Sequence, residues 1–240
     1  MRQQMKNNLW VEKYRPNSVD DYVFVDERQK KQVEGWIAEG SIPHLLLSGE
    51  PGTGKTTLAK VLIKELGVED YDVLEINASR ENGIDMLREK INSFVQTMPF
   101  GKFKVVLLDE ADYLTHQSQA ALRGDMETYH ETVRYILTCN YEHKILPALR
   151  ESRCYKMYIA KPDMTEFTVR AATVLVTENI EVDMDVLDTY VRAAYPDLRK
   201  CLNQLQNNSK SGVLLPIHEE GNGEDEILIK ATELFNQERF

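Results

Sequence analysis

Short runs of Val, Ile and Leu alternate along the first two thirds of the chain with segments in which apolar residues recur every three or four positions. Buried parallel strands are almost continuously apolar, whereas amphipathic helices repeat with a period of about 3.6 residues. The pattern predicts strands over His44–Ser48, Val73–Asn77, Lys104–Asp109, Arg134–Cys139 and Tyr155–Ile159. It predicts intervening helices over Gly54–Leu66, Gly83–Val95 and Gln117–Tyr129. Residues 1–160 are therefore expected to form an α/β domain with a five-stranded parallel sheet.

The strand pattern stops after Lys161 and Pro162, and a second, helical unit is expected there. Apolar periodicity and capping residues predict three short helices over Met164–Thr177, Asp185–Ala194 and Asp197–Asn207. We expect a small all-helical domain over residues 161–212. Residues 213–240 include the charged, glycine-containing run HEEGNGEDE, which is typical of a mobile acidic connector.

The composition is that of a soluble globular protein. Hydrophobic residues make up 42% and charged residues 28%, which excludes collagen-like and wholly disordered classes. No apolar run approaches the roughly 18–20 residues of a membrane span, and the start MRQQMKNN lacks the apolar core of a secretory signal. We expect an intracellular protein, cytoplasmic or nuclear, that is neither secreted nor in a membrane. Buried free thiols without metal-ligand spacing are expected at Cys139, Cys154 and Cys201.

The net charge of −10 argues at first against a nucleic-acid partner, because Lys and Arg neutralise phosphates. The segment from Val213 to the end, however, carries seven acidic and two basic residues and so supplies −5 of that charge. The rest of the chain is only mildly acidic. Local basic patches therefore decide whether nucleic acid binds.

The segment GEPGTGKT, Gly49 to Thr56, matches the phosphate-loop pattern G-x-x-x-x-G-K-[ST] between a predicted strand and a predicted helix. The glycines let successive N–H groups face phosphates, and the helix adds the positive end of its dipole. Lys55 is predicted to reach the β and γ phosphates of ATP, and Thr56 to hold Mg²⁺. The alternative is a glycine-rich turn with an incidental lysine. The residues predicted to contact the nucleotide in this loop are Gly49, Glu50, Pro51, Gly52, Thr53, Gly54, Lys55, Thr56 and Thr57.

Two carboxylates end the apolar strand in VVLLDEAD, at the sheet edge where ligands of α/β folds bind. Asp109 is predicted to orient Mg²⁺, and Glu110 to polarise the water that attacks the γ phosphate. Without the phosphate loop, this pair would instead indicate a solvated turn. Asn140, after the fourth strand, is predicted to bridge the γ phosphate and that water. Asn77 either reaches Glu110 or only ends its strand in a turn.

The chain resembles, over nearly its whole length, the small subunits of replication factor C, the sliding-clamp loaders of the AAA+ class. Motifs in order along the chain carry the resemblance: WVEKYRP, PHLLLSGEPGTGKTT, LEINASRENGID, LLDEADYLT, ALRGDMET, CNYEHKI, SRC and YPDLRK. The resemblance implies a P-loop AAA+ domain followed by a helical lid. It implies an ATPase subunit that opens a sliding clamp and loads it onto primer-template DNA, within a pentameric hetero- or homo-oligomer.

The resemblance also implies roles for residues of the nucleotide pocket. Val11 and Val23 correspond to adenine-side contacts, and Tyr14, Arg15 and Pro16 shape that pocket. Arg153 of the SRC motif corresponds to an arginine finger that enters the ATP site of the neighbouring subunit. Arg199 corresponds to a lid residue that senses the γ phosphate. Taken without the family, an arginine at either place would be an ordinary surface charge.

DNA and clamp contacts follow from the same resemblance. Arg88 and Lys144 are implied to touch DNA phosphates, with Arg80 either an added contact or a solvated helix-start residue. The chain departs from the family at Asn82, where a basic residue is usual, and at Gly124. Arg123 either couples subunits or forms an exposed salt bridge. In the stretch Ile91 to Phe100, clamp anchors are expected at Phe94, Met98 and Phe100, with core packing the alternative for Phe94.

Other functions remain open at this stage. The phosphate loop and lid also suit a helicase loader or branch-migration motor of the AAA+ class, and a non-hydrolysing ATP-binding scaffold subunit. In the family a helical collar follows the lid, and this chain ends in ATELFNQERF roughly where that collar would begin. We expect a fragment or collar-less variant, and therefore a weak oligomer or monomer with low basal ATPase activity.

Overall fold

A computed structural model describes residues 9–80, 84–209 and 212–217. Its centre is a five-stranded, fully parallel sheet in the order β2-β3-β4-β1-β5. The strands are β1 Leu45–Ser48, β2 Val73–Asn77, β3 Lys104–Asp109, β4 Val133–Cys139 and β5 Tyr155–Tyr158. The predicted parallel sheet is confirmed, and each strand boundary lies within one residue of its predicted position.

Nine α-helices occur among the described residues. They are α1 Trp10–Lys13, α2 Glu27–Glu39, α3 Lys55–Glu65, α4 Ile84–Val95, α5 His116–Thr128, α6 Pro147–Arg150, α7 Met164–Thr177, α8 Met184–Ala194 and α9 Leu198–Asn208. Short 3₁₀ turns cover Asp70–Asp72, Ala111–Tyr113 and Glu142–Lys144. The three predicted sheet helices and the three predicted lid helices are present, with small shifts at their ends.

Helix α2 was missed by the sequence pattern. Its sequence, ERQKKQVEGWIAE, is mostly charged, and only Val33 and Trp36 are buried. Local signals nevertheless define its ends, because Asp26 accepts from the Arg28 N–H at 2.8 Å and Gly40 ends the helix in a left-handed conformation. Hydrophobic periodicity alone therefore does not detect a helix in which only a narrow stripe of side chains is buried.

The two faces of the sheet hold separate apolar clusters because strand side chains alternate between faces. Leu45 and Leu47 of β1 pack with α2 and α3, whereas Leu46 packs on the opposite face with α4 and α5. A third cluster holds the lid together and includes Phe167, Tyr190 and Leu205. The three central strands are buried on both faces, and the carboxyl edge of the sheet can therefore position polar groups.

The short helix α1 packs against the lid, although it belongs to the range 1–160 that was predicted to form the α/β domain. Trp10 is 7% exposed and lies in the lid cluster, and its backbone N–H donates to Gln206 Oε1 at 3.0 Å. Lys13 and Tyr14 both donate to the carboxylate of Glu178, each at 2.7 Å. The chain therefore crosses to the lid before it enters the sheet.

The predictions about the cysteines and membrane spans can be compared with the structure, whereas some other predictions concern residues outside the described ranges. The three cysteines are unpaired thiols; Cys139 and Cys201 are buried and Cys154 is only half-buried. In the described ranges, no helix combines the length and apolarity that crossing a membrane requires. The predicted connector from residue 218 onward, the terminal ATELFNQERF and Asn82 lie outside the described residues.

Candidate nucleotide-binding site

The phosphate loop joins β1 to α3 at the carboxyl edge of the sheet. Gly52 and Gly54 adopt φ angles of 78° and 93°, a region that favours glycine. Gly54 caps α3 without any side-chain hydrogen bond to the first turn. Uncapped N–H groups and the helix dipole at such a terminus attract anions, so the loop is shaped for a phosphate group.

The ammonium of Lys55 lies inside this loop. It donates to the carbonyl oxygens of Gly49 at 3.0 Å and Glu50 at 2.7 Å, and the residue is only 8% exposed. Burial lowers the pKa of Lys55. Electrostatic interactions with neighbouring acidic groups partly oppose that shift, and these groups are Cys139, Asp112, Asp109 and Glu110. A buried cation held only by carbonyl dipoles is ready to exchange them for an anionic ligand.

Asp109 links the phosphate loop to two neighbouring strands. Its Oδ1 accepts from the Thr56 hydroxyl at 2.7 Å and from the Thr138 hydroxyl at 2.6 Å. Hydroxyl and carboxylate oxygens are the hard ligands that Mg²⁺ prefers. The chemistry of Thr56 and Asp109 therefore fits the predicted metal. Thr138, which lies two residues before Asn140, was not singled out from the sequence.

Glu110 occupies a strained turn directly after β3. Its φ and ψ are 56° and 43°, and its N–H donates to the Thr138 hydroxyl at 3.1 Å. A non-glycine residue in this left-handed region is uncommon, and such outliers cluster at functional positions. The turn therefore takes Glu110 out of the strand conformation that Asp109 shares with β3.

A buried carboxylate beside this pair was missed by the sequence analysis. Asp112 is 7% exposed, and neither of its oxygens has a hydrogen-bond partner among the described residues. Its charge is among those that raise the pKa of Lys55 against the effect of burial. The final Asp of LLDEAD was visible in the motif, but nothing in the sequence indicated its burial.

A cavity of about 460 Å³ joins the phosphate loop to the lid. Its walls include most residues predicted to bind nucleotide or metal: Val11, Tyr14, Arg15, Val23, Pro51, Gly52, Thr53, Gly54, Lys55, Thr56, Thr57, Asp109, Glu110, Asn140 and Arg199. Gly49 and Glu50 are not in its lining, and their carbonyl groups instead hold Lys55. Asn77 accepts from the N–H and hydroxyl of Ser79, at 3.0 and 2.6 Å, which favours the turn interpretation for that residue.

Two further lining residues come from parts of the chain without motifs. Tyr22 is buried, and its hydroxyl lies 3.5 Å from the Thr53 carbonyl oxygen. Arg170, in the middle of α7, donates to the Asp21 carbonyl oxygen at 3.2 Å, and burial lowers its pKa. Neither residue stands at a strand end or in a recognisable spacing, so the sequence carried no signal for them.

The lid touches the phosphate loop directly at Gly52. A Cβ atom added there would lie 2.7 Å from Cγ and 2.8 Å from Cα of Asp197, the residue that caps α9. These distances leave no room for a side chain. The absence of a Cβ at Gly52 therefore permits the close approach of loop and lid.

Gly52→Ala is expected to lower stability by about 1–3 kcal/mol, since alanine must adopt a left-handed backbone and clash with Asp197. Urea denaturation and titration with a fluorescent ATP analogue measure the loss of stability and the expected weakening of binding. The matched control is Gly124→Ala in α5, where no atom lies within 4 Å. It should gain up to about 1 kcal/mol and bind normally. Equal behaviour of the two variants would contradict the close contact.

Arg153 lies outside the cavity of its own chain. Its guanidinium pairs with the carboxylate of Glu127, and Arg123 binds the same oxygen at 3.3 Å. The hydrogen bond from Arg153 is the main reason that the pKa of Glu127 is lowered. The position agrees with the expectation that Arg153 does not serve its own nucleotide, and the Arg123 contact is the exposed salt bridge that was the alternative for that residue.

The candidate DNA contacts are on the surface. Arg80, Arg88 and Lys144 are all exposed. Burial raises the pKa of Asp125 in α5, and the positive charge of Arg88 in α4 offsets part of that rise. The two side chains therefore interact electrostatically. These positions are accessible to a phosphate backbone.

The candidate clamp contacts differ in exposure. Met98 and Phe100 are 78% and 82% exposed, whereas Phe94 is half-buried and lies 4.5 Å from the ammonium of Lys104. Asp72 fixes the segment by accepting from the N–H groups of Phe100 and Gly101, at 2.9 and 2.7 Å. Phe94 therefore packs against the core, whereas the side chains of Met98 and Phe100 face solvent.

Gln119 is a buried connector that sequence analysis missed. Its amide donates to the carbonyl oxygens of Leu114 and Lys144 at 3.2 and 3.0 Å, and its oxygen accepts from the Leu146 N–H at 2.7 Å. The side chain is 1% exposed. It joins the turn after β3 to the turn after β4, so the two turns hold a fixed relative position.

Two family models match the chain. One, described as the ATPase family associated with various cellular activities, covers residues 45–162. The other, described as the AAA+ ATPase lid domain of the sliding-clamp-loader large subunit, covers residues 161–215. The boundary between them falls where the sheet gives way to the lid helices.

Curated relatives share 38–43% of residues over most of the chain. A replication factor C small subunit of Picrophilus torridus is 38% identical over 87% of this chain and 66% of its own length. One from Sulfurisphaera tokodaii is 43% identical over 85% and 63%. A probable replication factor C subunit 5 of Dictyostelium discoideum is 38% identical over 91% and 64%. The chain thus spans slightly less than two thirds of the length of these relatives.

Among solved structures, the fold is similar to that of the Thermotoga maritima RuvB Holliday junction branch migration motor. The TM-score is 0.68 with 16% identity, over 92% of this chain and 72% of that chain. At this identity the likeness concerns the fold alone. It agrees with a parallel-sheet domain followed by a small helical domain.

Proposed function

Since this chain belongs to the replication factor C small subunit family of AAA+ ATPases, we propose that it is an ATPase subunit of a DNA polymerase clamp loader. It would use ATP binding and hydrolysis to open a sliding clamp and load it onto primer-template DNA. One observation supports this most strongly: Lys55, Thr56, Asp109 and Glu110 line one cavity while Arg153 lies outside it.

The residues of the cavity divide the work on ATP. Backbone N–H groups of the loop and the Lys55 ammonium bind the phosphates, while the apolar and aromatic side chains of Val11, Tyr14 and Val23 line the adenine side. Thr56 and Asp109 would hold Mg²⁺, which would neutralise charge that develops on the phosphates. Glu110 and Asn140 orient the attacking water by accepting and donating hydrogen bonds.

Arg153 completes the site of a neighbouring subunit. A planar, permanently charged guanidinium stabilises the negative charge of a phosphoryl-transfer transition state. Since Arg153 pairs with Glu127 in the isolated chain, it must leave that carboxylate, or share it, to reach a nucleotide on the next subunit. Hydrolysis is therefore expected to depend on assembly.

The lid and the surface residues supply the remaining parts. Arg199 lines the cavity from α9, where it can sense the γ phosphate while the lid rests on Gly52. Arg80, Arg88 and Lys144 would bind DNA phosphates, and Met98 and Phe100 would dock on the clamp. Partner subunits are expected because the cavity of one chain does not include Arg153, which must then come from a neighbouring subunit.

The rival functions receive less support. The branch-migration motor shares the fold at an identity too low to carry a function. A non-hydrolysing scaffold subunit would not need Lys55, Glu110 and Arg153 together. Clamp loading is therefore the function that the sequence relationships and the geometry jointly favour.

The test is ATP turnover with and without primed DNA and candidate clamps, measured on this chain and on a version extended by a helical collar. The proposal expects turnover to rise when both DNA and a clamp are present, and to rise most for the extended version. A chain whose turnover ignores both additions, in both forms, is not a clamp-loader ATPase.

A further inference from the structure

Lys144 lies between two tyrosine rings on the protein surface. Its ammonium is 4.7 Å from the ring centre of Tyr141 and 5.8 Å from that of Tyr113. Tyr141 follows Asn140 directly, and Tyr113 ends the 3₁₀ turn after Glu110. We call Tyr113, Tyr141 and Lys144 the tyrosine–lysine platform.

The two rings are exposed, and Tyr141 also contacts the ring of His143, with 5.9 Å between the ring centres. Tyr113 is 53% exposed and Tyr141 is 51% exposed, and neither belongs to an apolar cluster of the described residues. Large aromatic side chains at a surface commonly mark a binding site, since burial of such a side chain would otherwise be favourable.

The cation between them also lacks an acidic partner in the described ranges, where no carboxylate lies within 4.0 Å of the Lys144 nitrogen. Many other surface cations are paired, as Lys13 is with Glu178 and Lys156 is with Glu151. In a chain of net charge −10, a cation flanked by rings instead of carboxylates is available to an external anion.

The platform is held in place from beneath. Gln119 binds the carbonyl oxygen of Lys144 and the carbonyl oxygen of Leu114, at 3.0 and 3.2 Å. The turns that carry Tyr113 and Lys144 are therefore fixed relative to each other before any ligand arrives. Such preorganisation reduces the entropy lost on binding.

An unpaired nucleotide matches this arrangement better than other ligands do. Its base offers a flat face for a ring, and its phosphate offers a negative charge for the ammonium. A duplex presents phosphates, but its base faces are stacked inside. An acidic peptide would use the ammonium and leave both rings without a partner.

We propose that the tyrosine–lysine platform stacks unpaired bases of single-stranded DNA, next to the duplex that the clamp loader holds. The inference rests on the proposed function, which supplies DNA as the partner. It adds a contact mode that phosphate binding by Arg88 and Lys144 does not provide. Stacking would be independent of sequence, since every base has an aromatic face.

The test compares three fluorescently labelled DNAs of equal length: a duplex with a single-stranded template overhang, the same duplex with abasic overhang positions, and a blunt duplex. Binding is measured with ATP by fluorescence anisotropy. Tyr141→Leu should weaken binding of the overhang DNA by about 10-fold and leave the other two DNAs unaffected. Tyr141→Phe should bind normally, because the ring remains. A 2-aminopurine base in the overhang should be quenched by the natural chain and not by Tyr141→Leu.

Salt dependence separates the ring from the cation. Tyr141→Leu should leave the slope of log affinity against log salt unchanged, whereas Lys144→Met should reduce it by about one. Tyr71→Leu, at another exposed tyrosine, is the matched control and should bind all three DNAs normally. Thermal denaturation verifies that each variant is folded.

Equal binding of the overhang by Tyr141→Leu and the natural chain overturns the stacking proposal. So does an equal loss on all three DNAs, which would show that the rings serve the phosphate backbone. If Arg88→Ala weakens binding while Tyr141→Leu does not, the platform fails and the proposed function stands. If neither this chain nor the version extended by a helical collar binds any of the DNAs, both fail.

Discussion

Arg153→Ala is expected to leave ATP binding unchanged and to lower DNA-stimulated ATP turnover by about 10³-fold or more. The guanidinium is absent from the lining of its own cavity and pairs with Glu127 instead. Removal should therefore spare the nucleotide of the mutated chain and remove the charge that a neighbouring site needs in the transition state. Titration with a fluorescent ATP analogue and a steady-state phosphate-release assay measure the two quantities.

Arg123→Ala is the matched control, because Arg123 contacts the same oxygen of Glu127 from an exposed position. Exposed ion pairs contribute about 1 kcal/mol or less, so this variant should retain most turnover. A second check mixes Arg153→Ala chains with Glu110→Gln chains, since subunits that lack different halves of a site can complement each other. Loss of ATP binding in Arg153→Ala, or full stimulated turnover by a monomer, would contradict action between subunits.

Lys55→Ala is expected to weaken ATP binding by about 100-fold or more. Hydrogen bonds to charged groups contribute roughly 1.5–3 kcal/mol each, and the ammonium is predicted to contact two phosphates. Its position on the carbonyl oxygens of Gly49 and Glu50 places the ammonium inside the loop that is predicted to hold the phosphates. Calorimetric titration with ATP measures the effect.

Lys64→Ala is the control for this experiment, because Lys64 is an exposed lysine on the same helix and is absent from the cavity lining. It should bind ATP normally. Circular dichroism must show that Lys55→Ala is folded, since the substitution removes the donor from two loop carbonyls. Normal affinity in a folded Lys55→Ala chain would remove the main support for the phosphate site.

The sequence predicted the sheet and the acidic pair because their signals are local. Strands such as Lys104–Asp109 are continuous apolar runs, and the phosphate loop is a contiguous motif whose glycines have a direct conformational purpose. Asp109 and Glu110 could be placed near that loop because the carboxyl ends of parallel strands share one edge.

Contacts between segments that are distant in sequence could not be predicted from local patterns. Tyr22 and Arg170 reach the cavity only because a turn before the sheet and a lid helix converge there. The burial of Asp112 and Gln119 depends on how two turns pack, which no spacing encodes. Asn77 illustrates the opposite case, in which a polar strand end near the site satisfies itself locally through Ser79.

The attachment of α1 to the lid has a consequence for nucleotide exchange. Trp10, Lys13 and Tyr14 are fastened to lid helices, and the adjoining Val11 and Arg15 wall the base-facing end of the cavity. That wall would travel with α9 when the lid swings, so one hinge motion would uncover both the base and the phosphates. Trp10, which is held by Gln206 of α9 and does not line the cavity, would then take part in nucleotide release.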